Sequence, residues 1–400
     1  MIEMNNTCEE ESPQADAFRM ILIVGIGTGV CLMGIFLNAF LLLSLRKLPF
    51  LSSNLLYLFL LACLDILVEL CFMLIFPVSL VYDYYKVEAL YIMWHYYIKY
   101  VSTVGQVLIA ASTLLIVAAS FERYYCSLKS SMQFSSQKRF LVICGVAACA
   151  LFMKGSVFFE LQLRHLPECP AFQNLQLDLS EITRSKTYKN IWMFWCRSIF
   201  NVFTPFLMLA TLNSLTISNL NKLHMNGFQS VLVEKRCQSL ASAAADFCLP
   251  YIADLHRPLI TKSLSSSSSF DMPTLLRRNS EACAARRRKR DATRTLAALI
   301  TIYLFTNTLN LLLTIMEFIK PETLREHSDG WTYKYLADLS SVLTISSTAF
   351  RLPVYYHCNG DIKAQIRGFC KSCFFGAPNE KDKLKKLSLS IGLSSRESVL

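Results

Sequence analysis

The fold class that the sequence predicts is an all-α membrane protein, a bundle of seven transmembrane helices followed by a short amphipathic eighth. Three observations predict it. Of the 400 residues, 53% are apolar and only 17% are charged, against about 25% charged in typical soluble domains. The apolar residues gather in seven runs near the length that a hydrocarbon core about 30 Å thick requires of a helix. The net charge of +11 is unevenly placed. Glu3, Glu9, Glu10, Glu11 and Asp16 precede the first run, whereas basic residues crowd into Arg277–Arg290 and the tail beyond Lys363. Such asymmetry marks loops retained in the cytoplasm and disfavours a nucleic-acid partner.

The runs follow in order. Met20–Leu45 is uncharged between Arg19 and Arg46, and no basic stretch precedes it, so it reads as a retained first span rather than a cleaved signal. Asn54–Tyr82 is the second, interrupted by Asp65 and Glu69, and Tyr91–Phe121 the third, with Lys99 near its start. Phe140–Phe159 is the weakest because Lys154 falls inside it. Asn190–Leu220 carries Arg197, Thr295–Met316 carries no basic residue or carboxylate, and Tyr335–Tyr356 holds Asp338 and Arg351. An odd count puts the ends on opposite sides. The short basic loops and the Arg286–Arg290 run then share the cytoplasmic face, which leaves the N-terminus outside at a plasma membrane.

The chain thus divides into an extracellular segment 1–19, a membrane domain 20–356 and an amphipathic helix with tail, 357–400. Asn5 opens an Asn-Asn-Thr glycosylation signal. Within the membrane domain, 221–291 is a long inner loop with five consecutive serines, Ser265–Ser269, expected to lack structure. Asp361–Phe375 repeats apolar residues at helical spacing, as a helix lying on the inner membrane surface does. Its Cys370 and Cys373 are either palmitoylation sites or free surface cysteines. Cys31, Cys63, Cys71, Cys144 and Cys149 lie in apolar runs, where cysteine acts as a small hydrophobe, and no metal-ligand spacing occurs.

Polar residues inside spans are costly and mark function. Asn38, the Leu61-Ala62-Cys63-Leu64-Asp65 stretch, Glu122-Arg123-Tyr124, Pro205 with Asn213, and Pro353-Val354-Tyr355-Tyr356 fall in order on consecutive predicted helices. In these the chain resembles a rhodopsin-like G-protein-coupled receptor over about Met20–Phe375, the inner loop excepted. In style it is similar to invertebrate FMRFamide-receptor-like peptide receptors. Gly360 and the basic stretch after it resemble the family's eighth helix.

The resemblance implies an extracellular ligand and a heterotrimeric G protein as partners. It implies that Arg123, paired with Glu122 at rest, is released when the sixth helix moves outward. Asp65 and Ser112 fall where the family binds sodium. Thr348 and Leu352 replace the usual asparagines there, which leaves few oxygens for a hard cation, and Arg351 offers Asp65 another neutralising charge. No other cofactor is expected. Four departures stand out: Ile98 occupies the position of the third-helix cysteine, the fourth helix has no tryptophan, Phe305-Thr306-Asn307-Thr308-Leu309 lacks the sixth-helix Trp and Pro, and Leu352 precedes Pro353. The usual disulfide to Cys169 is therefore missing, and Cys8–Cys169 is a substitute pairing.

Gly105 stands where amine receptors have an Asp and Ser346 where opsins have a Lys, which disfavours both classes. The outer half then offers Lys99, Gln106, Arg197, Glu317 and Asp338, with Glu69 deeper and Trp94, Tyr96, Tyr97, Trp192 and Trp195 around them. Aromatics with a few charges suit a peptide. The same aromatics also form interfacial belts, and Arg197 could equally snorkel outward. Ser280, in Arg-Arg-Asn-Ser, has the form of a basophilic kinase site that would regulate coupling or arrestin binding. Ser398-Val399-Leu400 has the form of a PDZ ligand. The rival readings are a chemosensory receptor for a small molecule and, from another class, a transporter or channel. No HExxH or GxSxG pattern suggests an enzyme.

Overall fold

The computed structural model describes residues 16–45, 55–128, 135–218, 272–319 and 331–375. They form seven long helices and an eighth short one. Helix α1 runs Ala17–Leu45, α2 Leu55–Tyr85, α3 Glu88–Leu128 and α4 Ser136–Glu160. A two-stranded hairpin follows, β1 Leu161–His165 antiparallel to β2 Leu175–Leu179, with Leu163 opposite Leu177. Helix α5 spans 188–218, α6 Met272–Ile319, α7 331–358 and α8 Gly360–Phe375.

Among the described residues, α1–α4 and α6 are apolar and long enough to cross a membrane on composition alone. The fifth and seventh helices carry more polar residues, and the bundle accommodates them. Helix α3 packs against α2 and α4, and α7 against α6 and α1. The outward surface is apolar, with Phe36, Leu141, Phe152, Leu207 and Phe305 exposed. That distribution inverts the soluble pattern and suits a bilayer as solvent.

Prolines shape the two polar helices. A π-helical turn at Ile199–Phe203 immediately precedes buried Pro205. Proline lacks the N–H that an α-turn would use, so the ladder widens ahead of it. Helix α7 breaks into Trp331–Ala349 and Arg351–Cys358, because Pro353 cannot donate to the carbonyl four residues back, that of Ala349.

The structure corrects the expectation that the inner loop lacks structure as far as residue 291. Helix α6 begins at Met272 and spans 48 residues, about 70 Å at the usual rise. The helix therefore extends well past a membrane's thickness. Arg, Lys, Glu and Ala are good helix formers, and the run Glu281–Arg290 is built largely from them. A polarity count that removes this stretch from a span says nothing against its being helical. The remainder of that loop, with Asn5, Cys8 and the chain's last residues, lies outside the described residues.

Candidate functional site

Three layers of polar side chains lie inside the bundle. At mid-depth, α2 carries Asp65 and Glu69 one turn apart, both fully buried. From α7, Arg351 Nη1 donates to both Asp65 oxygens at 2.6 Å, and its Nη2 donates to Ser112 Oγ of α3 at 3.3 Å. Thr348 Oγ1, one turn earlier on α7, donates to Glu69 Oε1 at 2.7 Å. Glu69 fits because α1 has Gly34 opposite: a Cβ there would lie 2.2 Å from Glu69 Oε1. Asn38 of α1 and the buried Tyr355 hydroxyl of α7 adjoin this layer. The guanidinium thus sits on the carboxylate and hydroxyl that the family resemblance assigns to sodium. Helices α2, α3 and α7 are joined there by one cation.

At the end of the bundle beside α8, the inner end in the orientation expected from the charges, the expected resting pair is corrected. Glu122 is held not by Arg123 but by Arg139 of α4, whose Nη2 and Nε lie 2.7 and 3.1 Å from Glu122 Oε1. Both partners are buried. Arg123 makes no hydrogen bond or ion pair among the described residues. Adjacent residues on a helix point about 100° apart, so Glu122 and Arg123 do not face each other, and a cation from a neighbouring helix reaches Glu122 more directly. Asn213 of α5 donates to Thr301 Oγ1 of α6 at 3.3 Å. Tyr356 accepts from Arg367 of α8 at 3.4 Å, with Lys363 over its ring.

At the outer end, Arg19 Nε donates to Asp338 at 2.5 Å and so ties α1 to α7. Asp16 caps α1 by accepting from the Arg19 backbone N–H at 2.7 Å, and Tyr335 donates to its carboxylate. Its slight burial works to raise the Asp16 carboxyl, but the bonds from Arg19, Tyr335 and the Phe18 backbone hold it below the ordinary value.

Helices α3, α4 and α5 share the other outer cluster. Arg197 donates to Glu160, and to Ser156 Oγ at 3.0 Å. Tyr188 also donates to Glu160, at 2.7 Å, and Trp192 Nε1 to Ser156 at 3.1 Å. Lys154 Nζ donates to Gln106 at 2.8 Å, and Lys99 Nζ lies 4.3 Å from the Phe158 ring centre.

The hairpin lies against this end. The Tyr91 hydroxyl donates to the Leu175 carbonyl at 2.9 Å and accepts from the Leu175 N–H at 3.0 Å, so α3 grips β2 through one buried side chain. Phe172 and Lys86 both have left-handed backbones (φ 72° and 51°), and Lys86 lies over the Phe172 ring, which in turn contacts Tyr91. Cys169, in the connection between the strands, is disulfide-bonded.

Of the five pocket residues predicted from sequence, the structure brings Lys99, Gln106 and Arg197 onto one seam. It places Asp338 apart, in the α1–α7 clasp. Glu317 and Ser280 lie on α6, and Cys373 on α8, where only the backbone is described; Cys370 is free and half-buried. Sequence reasoning did not single out Glu160, Arg139 or Tyr91. Glu160 stands one residue past the fourth run and Arg139 one residue before it. A charge at a span boundary looks like an ordinary interfacial anchor until its partner is seen.

This architecture is the seven-helix fold of the rhodopsin-like receptors, in a multi-pass membrane protein. Squid rhodopsin has the same fold: its crystal structure superposes with a TM-score of 0.58 at 16% identity, covering 94% of this chain and 92% of that one. No family model matches the chain, nor does any curated protein.

Proposed function

We propose that the protein is a plasma-membrane receptor, not an enzyme, in which an extracellular ligand favours an open inner face and promotes nucleotide exchange on a heterotrimeric G protein. The observation that carries this reading is Arg123. It is an always-charged side chain at the inner end of α3 without an ion-pair partner among the described residues, where the family resemblance puts the G-protein cavity. A ligand drives exchange only through its preference for the open conformation.

A peptide is the ligand class that the outer end suits best. The aromatic seam and its cations offer buried area and charge pairing together. The N-terminus is outside in this reading, and Cys8, the one cysteine outside the described residues that the topology puts on that side, is the partner of Cys169. Arrestin and a PDZ protein remain partners proposed from the Ser280 and Ser398–Leu400 motifs.

The test is G-protein activation in transfected cells, with amidated and free-acid peptides and unstimulated controls. Arg123→Ala is expected to abolish exchange while surface expression is retained. Exchange that survives this substitution unchanged would count against the mechanism. Ligand-gated current or uptake without G protein would favour a transporter.

A further inference from the structure

The seam between α3, α4 and α5 has an unbalanced charge. Lys99, Lys154 and Arg197 are three cations. Glu160 pairs with Arg197. Arg197 and Glu160 are the charged neighbours of Lys154. Among the described residues, the Lys154 ammonium bonds the neutral Gln106 amide, and Lys99 lies over the face of Phe158. Among the described residues, neither ammonium has a carboxylate partner.

An ammonium held partly buried without a counter-ion is costly. Nothing in the packing of α3 against α4 requires two of them. Lys99 and Gln106 lie seven residues apart, two turns and about 10 Å along one side of α3. Lys154 and Phe158 face them from α4. Tyr100 packs on Phe158 at a centroid distance of 5.6 Å. The seam therefore combines two unmatched donors of positive charge, an amide already orienting one of them, and aromatic walls.

We infer that this seam is an oxyanion site, in which Lys99 and Lys154 bind a carboxylate or phosphate group of the receptor's ligand between α3 and α4. The inference deepens the ligand-site reading above and rests on it. Lys99 approaches the group from the outer side and Lys154 from below, while the Arg197–Glu160 pair keeps the α4–α5 side closed. A ligand with a free acid group is then preferred over its amidated counterpart. Two sources supply such a group at this depth, a soluble acidic ligand and the headgroup of an anionic outer-leaflet lipid.

The test is the thermal midpoint of the purified full chain, which needs no signalling. It therefore separates failure of this site from failure of the receptor reading. The protein is placed in phosphatidylcholine nanodiscs at constant ionic strength, with chloride exchanged for glutarate. In a second arm, phosphatidylglycerol replaces part of the lipid. Saturating glutarate is expected to raise Tm by about 2–4 °C, and the rise is lost in Lys99→Gln plus Lys154→Gln. Each single substitution, which keeps the aliphatic stem, weakens it in case the double variant folds poorly. A shift with phosphatidylglycerol alone that the same substitutions remove supports the oxyanion site with lipid as its source. No difference between wild type and variants in either arm overturns the inference.

Discussion

Arg351 shows how one side chain can settle the character of a bundle's core. A guanidinium offers a planar fork of donors and never loses its charge, and here it reaches Asp65 and Ser112 on two other helices. Removing one member of a buried ion pair strands the other, at a cost of about 3–5 kcal/mol. Arg351→Met should therefore lower Tm markedly. Adding Asp65→Asn to it should recover much of the loss, read as a coupling energy in a double-mutant cycle. Additive effects of the two substitutions would mean that the pair contributes no mutual stabilisation.

Arg139 makes a second residue-scale case. It pairs with Glu122, which makes no hydrogen bond or ion pair with the neighbouring Arg123. Arg139→Gln should free that carboxylate to draw on Arg123 and reduce unstimulated nucleotide exchange several-fold. An unchanged or raised basal rate would show that the Glu122–Arg139 pair does not govern the availability of Arg123.

At the scale of elements, the Tyr91 hydroxyl is one of the hairpin's anchors. Tyr91 serves the Leu175 N–H and carbonyl through one hydroxyl, as a disulfide from α3 would otherwise tether this connection. Tyr91→Phe removes both bonds, worth about 1–3 kcal/mol together. It should speed amide exchange in 161–179 while leaving the α2–α7 core protected, which hydrogen-exchange mass spectrometry would read.

The α1–α7 clasp titrates in the opposite sense to a basic group. The Asp16 carboxyl is lowered in the fold, so its contribution is present above its unfolded pKa and lost as pH falls through the folded one. Asp16→Asn should lower Tm near neutral pH, and the difference from wild type should shrink as pH drops below the ordinary carboxylate range. A difference constant down to that range would remove the charge from the explanation.

Over the whole molecule, the polar layers divide the work. The outer end carries a hairpin, a clasp and an unbalanced basic seam; mid-depth carries one cation joining α2, α3 and α7; the inner end carries Arg123 and an α6 that runs far past the membrane. A signal between the ends has to pass the middle layer, where α7 is broken at Phe350 beside Arg351. If the reading as a receptor is right, disrupting Asp65–Arg351 should alter coupling between ligand and exchange without touching either end. The measurement is ligand affinity with and without G protein for Arg351→Met, and the ratio of the two affinities should fall towards one.

The sequence by itself determined the helices, their number and their order, because a bilayer imposes length and apolarity on each span separately and each run can be read alone. It also singled out Asn38, Asp65, Glu122, Arg123 and Pro353 as candidates, since polar or helix-breaking residues in such runs are conspicuous. Only the tertiary structure decided which charge meets which. Arg351 with Asp65, Arg139 with Glu122, Arg197 with Glu160 and Arg19 with Asp338 are separated by 286, 17, 37 and 319 positions. Helical periodicity fixes which residues share one helix's face, not how that helix is rotated against its neighbours. The same ignorance of rotation hid the excess of positive charge on the α3–α4 seam, which exists only once Glu160 has been given to Arg197.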